Sequence, residues 1–145
     1  MAAILVIEDG PIDRRVLVTL LQSRGHRMLE AALGDEGLKV VRAERPNLVL
    51  MEVLTPETDG LQFVRALHAE PESARPRVLL RADAHIEAEA RALAKALRAS
   101  FAVKPSSPEA LLATVDVALR GRPPAMPDPG AVSIDGLLGP IARKL

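Results

Sequence analysis

Short apolar runs alternate with helix-periodic segments along most of this chain, and that alternation is what most limits its fold. Residues 3–7, AILVI, are a continuous apolar run, as expected of a strand buried on both faces. Ile12, Val16, Leu17, Leu20 and Leu21 then recur at spacings of three and four, which predicts an amphipathic helix ending near Gly25. Residues 26–31 read as a weaker strand near a sheet edge. Leu38 and Val41 mark a second helix, stopped before Pro46. Residues 48–51, LVLM, form the second strongly buried strand, and Asp59 can cap a helix carrying Leu61, Val64 and Leu67. A polar loop over 70–76 leads to a strand at 78–80. An alanine-rich helix over 86–98 follows, with Ile86, Leu93 and Leu97 on its apolar side, and then a last strand at 101–103. Ser107 caps, and Pro108 opens, a helix with Leu111, Leu112, Val115 and Leu119. A strand followed by a helix, five times over, requires right-handed crossovers and a parallel sheet covered on both faces. The fold class is α/β, doubly wound.

A chain of 145 residues, 48% of them hydrophobic, supports one core domain, here assigned to residues 1–120. Residues 121–129, GRPPAMPDP, read as a proline-rich linker. Residues 130–145 turn apolar again through Val132, Ile134, Leu137, Leu138 and Ile141, while Gly136, Gly139 and Pro140 interrupt any long helix. They read as a docking tail or the opening of a further domain. With 19 basic and 19 acidic residues, no net field draws the chain to nucleic acid or an anionic membrane. The absence of cysteine excludes disulfides, thiolate metal sites and thiol nucleophiles. The first apolar run is too short for a membrane span and lacks a signal-peptide pattern, so a cytoplasmic protein is expected.

In open parallel sheets ligands gather at the carboxyl ends of strands. Glu8, Asp9, Glu52, Arg81 and Lys104 all fall at strand ends or just beyond them. In particular, residues 47–60, NLVLMEVLTPETDG, deliver the single acid Glu52 from a buried strand into a loop. Together with Glu8-Asp9 after the first strand and Lys104-Pro105 after the last, this pattern resembles the receiver domain of two-component response regulators, over residues 3–120.

The resemblance implies a flavodoxin-like fold of five parallel strands in the order 2-1-3-4-5. It implies an acidic pair, Glu8 and Asp9, that with Glu52 makes a weak Mg²⁺ site of hard oxygen ligands; no cofactor is otherwise required. Glu52 takes the place of the aspartate that accepts a phosphoryl group. Lys104 takes that of the lysine paired with it, and Pro105 that of a proline often preceded by a cis peptide bond. Arg81 stands where a hydroxyl residue usually carries the switch, and Phe101 stands at the switch aromatic. The two departures bear on function. Glutamate places its carboxylate about 1.5 Å further out than aspartate, and a displacement of about 1 Å costs an in-line reaction roughly 100-fold. Impaired phosphorylation therefore ranks ahead of mimicry of a phosphorylated aspartate, and both ahead of active phosphorylation. An arginine is always cationic and its fork suits a carboxylate, so an internal Arg81–Glu52 ion pair is expected to replace metal and phosphoryl group.

The expected role is then a phosphorylation-independent protein–protein interaction module rather than an enzyme. The partner is a histidine kinase, an effector domain or another signalling protein. The fourth helix, fifth strand and fifth helix form its output or homodimer face. A phosphorelay acceptor using Glu52 or Asp9 with Mg²⁺ is the alternative. A flavin- or nucleotide-binding module is disfavoured by the acidic EDGPID loop, which would repel a phosphate. The segment after residue 120 is too short and too weakly basic for a DNA-binding effector. His26, His68 and His85 are scattered and carry no metal-ligand spacing.

Overall fold

In the computed structural model, residues 2–52, 60–71, 75–121 and 134–144 are described. Five strands, β1 (Ala3–Ile7), β2 (Arg27–Ala31), β3 (Leu48–Glu52), β4 (Arg77–Asp83) and β5 (Ser100–Lys104), form one sheet in the order β2-β1-β3-β4-β5, every pair parallel. The fold class and strand order read from the sequence are thus observed. Between the strands run α1 (Pro11–Gln22), α2 (Gly34–Glu44), α3 (Gly60–Ala69) and α4 (Glu87–Leu97), the last entered through a 3-10 turn, Ala84–Ile86. After β5 comes α5 (Pro108–Arg120), and a sixth helix, α6, spans Ile134–Arg143.

Strand side chains alternate between faces, and the two apolar layers follow that alternation. Ile4, Val6, Leu48, Leu50 and Leu79 pack under α1 and α5 through Leu17, Leu21, Leu111 and Val115. Leu5, Ile7, Val49, Met51, Val78 and Leu80 pack under α2, α3 and α4 through Val41, Phe63, Val64, Leu93 and Leu97. The central strands β1 and β3 are buried nearly throughout, whereas edge strand β2 is half exposed. Its weak apolar pattern has that cause. Where α2 crosses β1 the helix backbone rests on the Ile7 side chain: a Cβ on Gly37 would lie 2.5 Å from Ile7 Cδ1. Ser107 caps α5 as expected, its Oγ accepting from Ala110 N at 3.1 Å. Asp59, expected to cap the third helix, lies outside the described residues.

Three sequence readings need correction. The apolar stripe of α1 is rotated: Ile12 and Val16 are exposed, and Leu17, Val18 and Leu21 carry the burial. β4 runs on to Asp83, so Arg81 lies inside the strand rather than at its end. The glycines and proline of the tail do not prevent a helix. α6 forms across Gly136, Gly139 and Pro140, and buries Leu138 and Ile141 in the α3–α4 side of the core. Among the described residues no helix is long and apolar enough to cross a membrane.

Candidate functional site

Glu8, Glu52, Arg81 and Lys104 share the phase of Val6, Leu50, Leu79 and Ala102, so all four project from the carboxyl edge on the face covered by α1 and α5. The register fixes their neighbours. Glu52 lies beside Arg81, and Arg81 beside Ala102. Glu8 follows β1, and its amide donates to the Ala31 carbonyl at 3.0 Å, extending the ladder with β2 by one bond. Its carbonyl accepts from Arg14 Nη1 at 2.7 Å, while Arg14 Nε meets Glu30 Oε1 at 3.3 Å. Arg14 thereby ties the loop after β1 to α1 and β2. Nothing in the sequence singles it out, because its partner is a backbone carbonyl.

Glu8 and Glu52 are the buried charged residues of the described chain, 6% and 7% exposed. Lys104 Nζ donates to Glu52 Oε2 at 2.7 Å, which satisfies one of them. Glu8 Oε1 accepts from the Gly10 amide at 3.2 Å. Burial pushes the Glu8 carboxyl above its ordinary value; the Gly10 amide opposes the rise, and the charges of Glu52 and Asp9 add to it. Asp9 sits partly exposed beside it. The Lys104–Pro105 bond is cis, as the resemblance implied.

The expected Arg81–Glu52 ion pair is not formed. The two residues are register neighbours, yet the carboxylate is held by Lys104, reaching from β5. Arg81 Nε is buried with no hydrogen-bond partner among the described residues. Register brings the backbones of β3 and β4 together; which cation reaches the acid is decided by side-chain path, and the flexible lysine stem arrives. Ser106 Oγ, just past the cis bond, is likewise buried without a partner among the described residues.

The acidic trio has the donor chemistry for Mg²⁺, but the arrangement does not fit the ion. Glu8, Asp9 and Glu52 lie near one another, yet among the described residues no group of three acidic or histidine side chains is placed to hold a metal ion. One Glu52 oxygen is bonded to an ammonium, and Glu8 Oε1 faces an amide. Phe101 is partly buried against the α4 side of the core, with the Arg91 guanidinium 4.7 Å from its ring centroid. Arg91 is also bonded to Glu87, at 2.8 Å. His68 is exposed and His85 lies in the 3-10 turn, while His26 Nδ1 accepts from the Ala2 amide at 3.4 Å. None joins the site.

This arrangement has counterparts among known proteins. The family model described as the response regulator receiver domain matches residues 4–116. Protein PilH of Pseudomonas aeruginosa is 30% identical over 121 residues, covering 83% of this chain and all of that protein. A probable transcriptional regulator, ycf27, of Porphyridium aerugineum is 33% identical over 117 residues; the chain spans 48% of its length. The structure of the chemotaxis response regulator CheY4 of Vibrio cholerae superposes with a TM-score of 0.70 at 28% identity, covering 81% of this chain and 98% of that one. The signal receiver domain of a histidine kinase from Syntrophus aciditrophicus gives 0.71 at 26% identity, covering 91% and 100%. The sheet order, the acids after β1 and at the end of β3 and the lysine at the end of β5 therefore sit in a chain that belongs to the response regulator receiver domain family of two-component signalling.

Proposed function

We propose that this receiver domain signals through protein contacts without running a phosphorylation cycle. The observation that carries the reading is the 2.7 Å bond between Glu52, at the acceptor position, and Lys104. The acid at the acceptor position is a glutamate, one methylene too long for the family geometry, and its bond to Lys104 fixes that carboxylate where it stands. Arg81 supports the reading from the neighbouring register position, where it replaces the hydroxyl that normally answers the phosphoryl group. The domain acts in the cytoplasm on a protein partner: a histidine kinase, an effector domain or a second copy meeting it through α4, β5 and α5. It binds Mg²⁺ weakly or not at all, and a titration showing tight stoichiometric Mg²⁺ binding would sink that part.

The second reading, a working acceptor at Glu52 or Asp9, draws on the same lysine. Lys104 reaches the acceptor position, and the cis bond after it is in place. The two readings separate by intact mass after incubation with Mg²⁺ and a small acyl-phosphate donor. We expect no phosphoryl adduct on the wild type and an adduct on the Glu52→Asp, Arg81→Thr double variant. An adduct on the wild type refutes the first reading.

A further inference from the structure

α6 is built from a sequence that disfavours helix. Gly136, Gly139 and Pro140 all lie within it, and glycine and proline are the poorest residues for a helix interior. Its stability therefore comes from its seat. Leu138 and Ile141, 3% and 0% exposed, enter the cluster that holds Val64 and Leu67 of α3 and Leu93 and Leu97 of α4. Beyond them Lys144 Nζ meets Glu89 Oε1 at 2.5 Å and lies 3.5 Å from the His85 carbonyl oxygen. Those two partners stand at the start of α4, so α6 lies antiparallel to it. The Lys144 ammonium holds the Glu89 carboxyl below the usual carboxylate range. Both side chains remain partly exposed, so the pair sets register and direction more than affinity.

We propose that the groove between α3 and α4 is a docking site for an amphipathic helix of a partner protein, and that α6 is its resident, displaceable occupant. α6 displays what the groove accepts: two aliphatic anchors at the spacing of Leu138 and Ile141, then a cation three residues on, as at Lys144, read by Glu89. A partner helix with the same three groups and no glycine or proline would hold its helical form better than α6 and displace it. This deepens the protein-contact part of the proposed function and rests on that part alone. Its test uses no phosphoryl donor, so its failure and that of the phosphorylation reading are distinguishable.

The probe is a labelled peptide of residues 134–145 with Gly136→Ala, Gly139→Ala and Pro140→Ala, titrated against the full chain. We expect saturable binding and, in hydrogen exchange of the full chain, amides of 134–144 that exchange at least about 100-fold faster than those of β1 and β3, consistent with local opening. Bound peptide should speed the exchange of α6 further. In a full chain carrying Lys144→Ala, whose resident helix no longer uses Glu89, Glu89→Lys should weaken peptide binding about fivefold, and a Lys144→Glu peptide should restore it. Leu138→Ala in the full chain should raise peptide affinity about tenfold by loosening the tethered competitor. If that variant fails to fold, the wild-type titration and exchange data still decide. Exchange of α6 only together with β1 and β3 overturns the proposal, and so does peptide binding indifferent to Glu89→Lys. Protection of 134–144 that rises with protein concentration places a second copy's α6 in the groove, and also overturns it.

Discussion

Removal of the Lys104 ammonium tests how the acceptor pocket is held together. At 2.7 Å and an effective dielectric of 20, the Lys104–Glu52 attraction is about 6 kcal/mol before the cost of desolvation. Breaking a buried pair by deleting one member costs about 3–5 kcal/mol, because the other charge stays buried and alone. Lys104 is 26% exposed while Glu52 is 7% exposed, so water relieves part of that penalty. We expect Lys104→Met to destabilise the fold by about 2–3 kcal/mol at pH 7, the figure lying below the fully buried case. With urea slopes of about 1–3 kcal/mol/M, the midpoint falls by about 0.7–3 M. The chain has no Trp or Tyr, so unfolding is followed by far-ultraviolet circular dichroism. The control is the Lys104→Met, Glu52→Leu double variant. Replacing a buried ion pair with apolar residues is often neutral, so the double variant should unfold within about 1 kcal/mol of the wild type. A midpoint that barely moves in the single variant, or a double variant as unstable as the single one, refutes the claim that Lys104 offsets the buried charge of Glu52.

Glu8 tests the same pocket through pH. Its carboxyl is raised, first by burial, so between the unfolded value of 4.5 and the folded value the native state binds more protons and stability falls as pH rises. Glu8→Gln should therefore be more stable than the wild type at pH 7 and equal to it below pH 4.5; denaturant midpoints at both pH values check this, and an unchanged difference refutes it. Gly37→Ala should destabilise by about 1–2 kcal/mol net, the overpacking cost of about 1–3 kcal/mol exceeding the gain in helix propensity. The added Cβ meets Ile7 Cδ1 at 2.5 Å and Cγ1 at 3.0 Å. Ile7→Val, which deletes Cδ1, should cost less in the Gly37→Ala background than in the wild type, and strict additivity of the two melting-temperature shifts would argue against the close contact.

Most of the sheet was legible because burial on both faces leaves a signal that needs no tertiary knowledge. β1 and β3 read as unbroken apolar runs, and the order of acids and lysine at their ends carried the family resemblance. The helices were harder in detail. Ile12 and Val16 fit a three-four repeat as well as Val18 fits its own, and only the seat against β1 and β2 decides that Val18 turns inward. α6 was hidden for a related reason. Local propensity argues against a helix at Gly136, Gly139 and Pro140, whereas the packing of Leu138 and Ile141 favours one. At the site, sequence located the charges and misjudged their pairing. Glu52 and Arg81 are register neighbours, yet the acid bonds to a lysine whose backbone is two strands away. Spacing fixes where a backbone atom lies and leaves the reach of a long side chain open.

The pocket and the α6 groove meet along one piece of chain. Arg81 lies two residues before the end of β4, and the 3-10 turn that follows carries His85, whose carbonyl oxygen faces Lys144. Glu89, in the first turn of α4, holds the same lysine. The stretch from Arg81 to Glu89 is thus fixed by the sheet at one end and by α6 at the other. In a receiver with a hydroxyl at position 81, a phosphoryl group would pull on the β4 end. Here Arg81 Nε has no bonded partner among the described residues, so the pocket side of the stretch lacks that handle. The Lys144 side has one that a competing helix can take. A signal entering this domain by the proposed route therefore begins at the groove and reaches Arg81 through the 3-10 turn, the reverse of the direction in which phosphorylation acts. Hydrogen exchange of residues 79–83, which do not touch Lys144, reads that coupling in the presence of the peptide: protection there that changes when α6 is displaced supports the reversed direction, and protection that stays constant rules it out.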